Sequence, residues 1–303
     1  MSAPRPDGAA AEPTDDELVS ATSFDGSVAI RTLIATQLVA EAALRHDAAP
    51  TAADAFGRTL MGAVLLASMK KGNETVQVQF RGDGPLGTVM AIADPQGRVR
   101  GVVERPHIDP PLRAGRHDVA AAVGRGVLAV VRHRPGWREP YSGLVPIETG
   151  EVARDLTQYL LDSEQTHSAV GLGVSIDRDG CVTAAGGFLV QALPGASDEL
   201  LEQIEANVQA LPGSAELVQS GVRGDELADR LLVGVGSSVH ERSEPRFHCP
   251  CTRERARATI ALLGRDEVHE IVRNGESQEV RCEFCCERYV LTPDELGSIF
   301  PDS

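Results

Sequence analysis

Five of the six cysteines in this 303-residue chain lie in its last sixty residues. They form a Cys-Pro-Cys motif at Cys249 and Cys251 and a Cys-Glu-Phe-Cys motif at Cys282 and Cys285, followed directly by Cys286. Two close pairs of thiolates can complete a tetrahedral zinc site, which leaves no position for substrate or water. The sequence therefore predicts a structural or regulatory zinc site formed by these two pairs, not a hydrolytic one.

Alternatives for single residues of this region stay open. A Cys-x-x-Cys motif also occurs in thioredoxin-like oxidoreductases, where it opens a helix within a βαβ unit. No such unit follows Cys282, since residues 279–281 and 289–291 predict a short hairpin around the motif. His248 is an alternative ligand, but four cysteines already fill the site, and a solvated histidine is the simpler interpretation.

The same four cysteines are suited to an oxidation switch. Zinc–sulfur bonds of about 2.3 Å hold tetrahedral sulfurs roughly 3.8 Å apart. Cysteines two or three residues apart at a turn can bring their Cα atoms into the disulfide range of about 4.4–6.8 Å. A structural zinc site contributes on the order of 10–16 kcal/mol to folding, so loss of the metal should unfold so small a domain.

Charge and composition exclude several classes of partner. Carboxylates outnumber Lys and Arg by 44 to 29, which gives a formal charge of −15. Binding to phosphates needs clustered basic residues, and base stacking needs more aromatic side chains than 4% of the chain, so no nucleic-acid partner is predicted. Eight arginines nevertheless lie between Arg246 and Arg288, where positive charge favours thiolates. With no apolar run of membrane length and no signal peptide, we expect no membrane partner and a cytoplasmic protein.

Periodicity predicts an α+β core of mostly antiparallel sheets with helices. Helical spacing covers residues 28–44, 52–69 and 151–163. Alternating segments predict strands over 75–80, 87–93, 97–103, 126–133 and 141–146. Residues 174–185 predict a hairpin that turns at Asp177 to Gly180, and Cys181 on its second strand is interpreted as a small buried residue.

Four segments are predicted along the chain. Residues 1–17, rich in Ala, Pro and acidic residues, predict a disordered acidic tail. Residues 18–192 form the core. Residues 193–245 form a helical, metastable linker whose first helix is capped by Ser197, and residues 246–303 form a small C-terminal zinc-binding domain.

Several motifs give the chain a close resemblance to the redox-regulated holdase chaperones of the thirty-three-kilodalton heat-shock protein family. The resemblance spans almost everything after residue 24. The motifs that carry it are Gln79-Phe80-Arg81-Gly82-Asp83-Gly84-Pro85, Arg100-Gly101-Val102, Tyr141-Ser142-Gly143, Ser163-Glu164-Gln165, Ala184-Ala185-Gly186-Gly187, Phe247-His248-Cys249-Pro250-Cys251-Thr252-Arg253-Glu254-Arg255 and Cys282-Glu283-Phe284-Cys285.

The resemblance implies a core of crossed sheets, a linker folded over it and one zinc ion held by Cys249, Cys251, Cys282 and Cys285. The reduced, zinc-bound form would be inactive. Peroxide under unfolding conditions, or hypochlorite, would form the disulfides Cys249–Cys251 and Cys282–Cys285, release zinc, and unfold the zinc domain and the linker. The oxidised protein would then dimerise and protect unfolded or oxidatively damaged clients from aggregation.

The family uses no ATP and has no catalytic residues, so the resemblance implies a chaperone that is not an enzyme. The absence of a Walker motif from the sequence agrees with this expectation. The chain departs from the family at Cys181 and at Cys286, where glycine is usual, and Cys286 could compete for zinc or exchange with Cys285. Two other functions stay open: a thiol-disulfide oxidoreductase and a zinc-ribbon nucleic-acid-binding protein.

Overall fold

The computed structural model describes residues 16–70 and 72–300. These residues form thirteen strands and ten helices. The strands are β1 Glu17–Ser23, β2 Val28–Ile34, β3 Thr75–Gly82, β4 Thr88–Ala93, β5 Arg98–Val103, β6 Gly126–His133, β7 Tyr141–Ile147, β8 Ser168–Ile176, β9 Val182–Ala192, β10 Ser237–Ser243, β11 Arg246–Phe247, β12 Gln278–Arg281 and β13 Arg288–Leu291. The helices are α1 Thr36–His46, α2 Pro50–Ser68, α3 Val119–Val123, α4 Val152–Asp162, α5 Asp198–Ala210, α6 Ser214–Gln219, α7 Gly224–Leu231, α8 Arg253–Ala261, α9 Arg265–Arg273 and α10 Pro293–Gly297.

The first sheet has five antiparallel strands in the order β10-β1-β2-β9-β8. Its central strand β2 is buried on both faces, with Leu33 in the main core and Ile30 beneath the linker helices. The prediction of one helix over residues 28–44 is therefore wrong, because the chain forms β2 and then α1. A short run that is apolar on every side has no period that separates a buried strand from a helix.

The second sheet has six strands in the order β11-β5-β4-β3-β6-β7. The pairs from β5 to β7 are antiparallel, and only β11 pairs in parallel, with β5. Strands β4 and β5 alternate between buried and half-buried residues, which is the pattern of a sheet with one face on the core. The predicted strands of this region are confirmed.

Helix α2 lies between the two sheets and contacts strands of both. Its buried residues include Phe56, Leu60 and Leu65, each at most 1% exposed, which are central to the main hydrophobic cluster. A helix that is apolar all round is expected to be buried in this way. The predicted α+β fold class is confirmed.

The hairpin between β8 and β9 turns as predicted. The side chain of Asp177 accepts hydrogen bonds from the backbone N–H groups of Asp179 and Cys181, both at 2.9 Å. The interpretation of Cys181 as a buried strand residue is wrong, because Cys181 is exposed and precedes β9. The bond from the Cys181 N–H to Asp177 makes Cys181 part of the turn, and the strand pairing begins at Val182.

Residues 197–232 lie over the outer face of the first sheet as helices α5, α6 and α7. Ser197 caps α5, as predicted, by accepting from the N–H of Leu200. The carboxylate of Glu17 on β1 accepts from the N–H of Gly224 at 2.7 Å at the start of α7 and pairs with Arg223 at 3.0 Å. A strand of the core thus holds the linker by polar contacts as well as by apolar burial.

The predicted tail over residues 1–17 lies largely outside the described residues. Its last residue, Glu17, begins β1 and is buried. Strand β10, which the sequence did not predict, pairs with β1 along the edge of the first sheet. Among the described residues, no helix combines the length and the apolar character needed to span a membrane.

The C-terminal region has a small core of its own. Its four buried side chains are Ile260, Val268, Leu291 and Leu296. They come from helices α8, α9 and α10 and from the hairpin of β12 and β13. So small an apolar cluster needs additional stabilisation, which in small domains usually comes from disulfides or a metal.

Candidate metal centre

The second cysteine pair lies in the turn between β12 and β13, as predicted. The N–H of Cys282 donates to the carbonyl of Glu287 at 2.9 Å, and the N–H of Cys286 donates to the carbonyl of Cys282 at 2.8 Å. These two bonds close the chain into a tight turn. The turn brings the side chains of Cys282 and Cys285 to the same side of the hairpin.

The first pair lies between β11 and α8. Phe247 pairs with Val99 of β5, and the N–H of His248 donates to the carbonyl of Val99 at 2.8 Å. Beyond the pair, the side chain of Thr252 caps α8. Cys249 and Cys251 are thus held between a strand of the core sheet and a helix start.

The structure brings the four predicted cysteines together. Their sulfur atoms all lie within 4.8 Å of one another. The Sγ atoms of Cys249 and Cys282 are 3.7 Å apart, and those of Cys251 and Cys285 are 3.3 Å apart. Tetrahedral zinc with bonds of about 2.3 Å requires sulfurs roughly 3.8 Å apart, so the sulfurs fit such an ion. Four sulfurs at this spacing can hold a metal ion.

Burial and hydrogen bonding shift the pKa values of the cysteine thiols in different directions. Burial raises the pKa of Cys249 to about 11 and also raises the pKa of Cys285 well above its usual value. Burial acts in the same direction on Cys282, but the backbone N–H groups of Cys285 and Phe284 donate to its sulfur, and the pKa of Cys282 is lowered. A bound cation would convert the remaining thiols to thiolates, because metal ligation requires the deprotonated form.

The cysteine cluster packs directly on the core. Cys285 is 4% exposed and belongs to the main hydrophobic cluster together with Phe247. The guanidinium of Arg100 lies 5.0 Å from the ring centre of Phe284, and that of Arg45 lies 5.5 Å from the ring centre of Phe247. The cysteine cluster therefore contacts core side chains directly, so a rearrangement of the sulfurs would act on the core at once.

Cys286 and His248 lie outside the group of four sulfurs. His248 is exposed. Cys286 has a left-handed backbone conformation with φ of 59°, and its Sγ lies 3.6 Å from Nδ1 of His46. The positive φ explains why glycine is suited to this position, because side chains other than glycine rarely adopt it.

Two residues of the site were not found from the sequence. The hydroxyl of Tyr289 lies 3.2 Å from the sulfur of Cys251. His46 contacts the turn from helix α1, 238 residues before Phe284. Tyr289 lies in the predicted hairpin and was within reach of pattern reasoning, whereas nothing near His46 in the chain indicates its neighbour.

Sequence comparisons find known proteins that are similar along nearly the whole chain. The protein-family model described as "Hsp33 protein" matches residues 16–292 of the chain. The 33 kDa chaperonin of Halalkalibacterium halodurans is 38% identical over 290 residues, which cover 95% of this chain and 99% of the relative. The 33 kDa chaperonin of Geobacter sulfurreducens is 38% identical over 281 residues, 93% of each chain.

A solved structure is similar along nearly the whole chain. The crystal structure of the 33 kDa chaperonin from Thermotoga maritima, a heat shock protein 33 homolog, superposes with a TM-score of 0.87 at 35% sequence identity. The match covers 94% of this chain and 98% of that chain. The fold described above is therefore shared with that protein.

Proposed function

Because this chain belongs to the Hsp33 protein family and is a chaperone of that family, we propose that it is an ATP-independent holdase controlled by thiol oxidation. The observation that carries the redox part of the proposal is the group of four sulfurs, all within 4.8 Å of one another and packed on the core. No catalytic residue is required by such an activity. The protein binds clients and does not turn them over.

In the reduced form, Cys249, Cys251, Cys282 and Cys285 hold one Zn²⁺. Sulfur ligands and a closed tetrahedral set suit zinc, and the metal supplies the stability that four buried apolar side chains do not. The residues themselves orient the sulfurs: the bond from the Cys286 N–H to the Cys282 carbonyl fixes the turn of the second pair. This region, residues 246–303, is the proposed zinc domain.

Oxidation removes the thiolates that hold the metal. Two thiols and one hydrogen peroxide give one disulfide and two waters, so two peroxides oxidise all four cysteines. The proposed products are the disulfides Cys249–Cys251 and Cys282–Cys285. Since the sulfurs of Cys249 and Cys282 are only 3.7 Å apart, pairing between the motifs is the competing product that peptide mapping must distinguish.

The linker, residues 193–245, is the proposed metastable element. Strand β11 follows β10 after two residues, so the linker is continuous with the chain that carries Cys249. Helix α5 has a single buried residue, Ile204. When the cysteine region unfolds, the apolar side chains of the linker and the sheet face beneath it become available to unfolded or oxidatively damaged clients.

The proposal includes a homodimer of the oxidised form, a cytoplasmic location, and no nucleic-acid or membrane partner. The cytosol keeps thiols reduced at rest, so a switch of this kind would be off until oxidant reaches it. The net charge of −15 argues against binding to the phosphate backbone of nucleic acids.

Light scattering of a thermally unfolding client tests the proposal. The client is mixed with reduced, zinc-loaded protein or with protein treated with peroxide at elevated temperature. We expect suppression of aggregation by the oxidised form alone. Equal suppression by both forms would mean a constitutive holdase, and turnover in an insulin-reduction assay would instead support an oxidoreductase.

A further inference from the structure

His46 is a buried polar residue at the C-terminal end of α1. Its ring packs edge-to-face with that of Phe56 in the core, with ring centres 4.9 Å apart, and the residue is 4% exposed. Its Nε2 lies 3.1 Å from the carbonyl oxygen of Phe284, inside the turn that carries Cys282 and Cys285. A buried imidazole needs partners for its polar atoms, and here the partner belongs to the candidate metal centre.

The other nitrogen of His46 faces the same turn. Its Nδ1 lies 3.6 Å from the sulfur of Cys286. A carbonyl can only accept, so Nε2 carries the proton and Nδ1 is the acceptor for the Cys286 thiol. Burial lowers the pKa of His46, which agrees with this neutral form. Both ring nitrogens therefore contact residues of one turn, and the imidazole also interacts with the backbone of Gly101 in β5.

Contacts on both sides of His46 strengthen this attachment. Arg45, the preceding residue of α1, lies 3.8 Å from the carboxylate of Glu287. Arg100 of β5 lies over the ring of Phe284. Side chains of the core thus contact the turn at three residues, Phe284, Cys286 and Glu287.

We propose that His46 is a positioning residue of the cysteine site. By holding the Phe284 carbonyl and the Cys286 thiol, it fixes the turn so that Cys282 and Cys285 face the first pair. The contact also protects the sulfurs from reagents, because the turn cannot open without breaking both hydrogen bonds. This inference rests on the proposed redox function only for its consequence, the rate of oxidation.

Three variants test the proposal. His46→Leu keeps an apolar side chain against Phe56 but removes both hydrogen bonds. His46→Gln keeps one N–H donor that can reach a carbonyl, so it should partly restore the wild-type behaviour. His107→Gln is the matched control, because the His107 side chain is 72% exposed and pairs weakly with Asp47 at 3.9 Å.

The first readout is the reaction of reduced, zinc-loaded full-length protein with the aromatic disulfide dithiobis(nitrobenzoate), with the modified cysteines located by mass spectrometry. We expect Cys282 and Cys285 to react about fivefold faster in His46→Leu, as loss of buried hydrogen bonds predicts, at unchanged circular dichroism. His46→Gln should fall between, and His107→Gln should match the wild type.

The second readout is the absorption spectrum of the Co²⁺-loaded protein, which reports the ligand geometry and would not respond to a purely structural loss elsewhere. An altered thiolate-to-cobalt band in His46→Leu, restored in His46→Gln, supports the positioning role. Equal reaction rates and identical cobalt spectra in a folded His46→Leu protein would overturn it. If the wild type forms no disulfides with peroxide, the proposed function fails, while the differences in thiol reaction rate and cobalt spectrum would still establish the role of His46.

Discussion

Helices α2 and α5 are the two longest helices of the described residues, but they are held in very different ways. Helix α2 has 19 residues and buries 16 of them between two sheets. Helix α5 has 13 residues and buries only Ile204. Since most helix stability in proteins comes from tertiary packing, α2 should open only with the whole core, whereas α5 can separate at low cost.

The same contrast separates the core from the cysteine region. The main cluster joins side chains of both sheets and of helices α1 to α4, whereas the C-terminal cluster has four buried residues. The difference teaches where each part obtains its stability. We therefore expect the core to depend on apolar burial and the C-terminal region to depend on the metal proposed for the four sulfurs.

The largest expected effect comes from removing one sulfur. Cys282→Ser should abolish metal binding and unfold residues 246–303, since a structural zinc site contributes on the order of 10–16 kcal/mol. The core should keep its thermal transition. Metal content by mass spectrometry and limited proteolysis check this outcome, with exposed Cys181→Ser as the control. A compact, metal-loaded Cys282→Ser protein would contradict the view that the C-terminal region depends on the metal and the core does not.

A pair of core and linker substitutions gives the next largest effect. Leu60→Ala, at a fully buried position of α2, should lower the free energy of unfolding of the core by about 2–5 kcal/mol. Ile204→Ala should leave the core transition nearly unchanged but increase proteolysis between residues 197 and 232. Urea unfolding and mapped proteolysis separate the two. A shift of the core transition by Ile204→Ala equal to that of Leu60→Ala would show that core and linker unfold together.

The sequence predicted the regular parts of the fold well. Strands β3 to β7 alternate, and the ligand spacing of the two cysteine motifs is local, so pattern reasoning found both. The helix prediction for residues 28–44 was wrong because β2 is buried on both faces and carries apolar residues on each, which removes the period of a strand. Strand β10 was not predicted for the opposite reason. Ser, His, Glu and Arg dominate its sequence, and its pairing with β1 is set by the tertiary fold.

The neighbours of the site were harder to predict than its ligands. The spacing of the four cysteines predicts that they form one site. His46, by contrast, reaches the site only because α1 packs on the second sheet beside β11. Nothing in the local sequence carries that contact. Cys286 follows the second pair directly, yet its sulfur lies 3.6 Å from Nδ1 of His46 and outside the group of four.

A change of pH should separate the cysteine region from the core, because only the cysteine region has thiols that must lose protons to bind metal. The raised pKa of Cys249, about 11, makes it a thiol in the metal-free protein at neutral pH, and metal binding must release that proton. Metal affinity should therefore rise with pH and be lost as pH falls, about tenfold per unit for each proton released. Competition with a chromogenic chelator at two pH values measures it, and proton release into weak buffer gives the stoichiometry. An affinity independent of pH would mean that the sulfurs are already thiolates without metal.

The smallest expected effect concerns the backbone at Cys286. Its φ of 59° strains any residue with a Cβ by about 1–2 kcal/mol. Cys286→Ala and Cys286→Gly both remove the sulfur near His46, but only glycine relieves the strain. Cys286→Gly should therefore hold the turn about 1 kcal/mol more tightly than Cys286→Ala.

Hydrogen exchange of residues 278–291 in the metal-loaded protein measures the difference, with exchange in α2 as the internal reference. Slower exchange in Cys286→Gly than in Cys286→Ala, at equal exchange in α2, would locate the strain in the turn alone. Equal exchange in the two variants would mean that the turn relaxes around the side chain. The cysteine region would then be more adaptable than its hydrogen bonds indicate, and its stability would depend on the metal to a still greater degree.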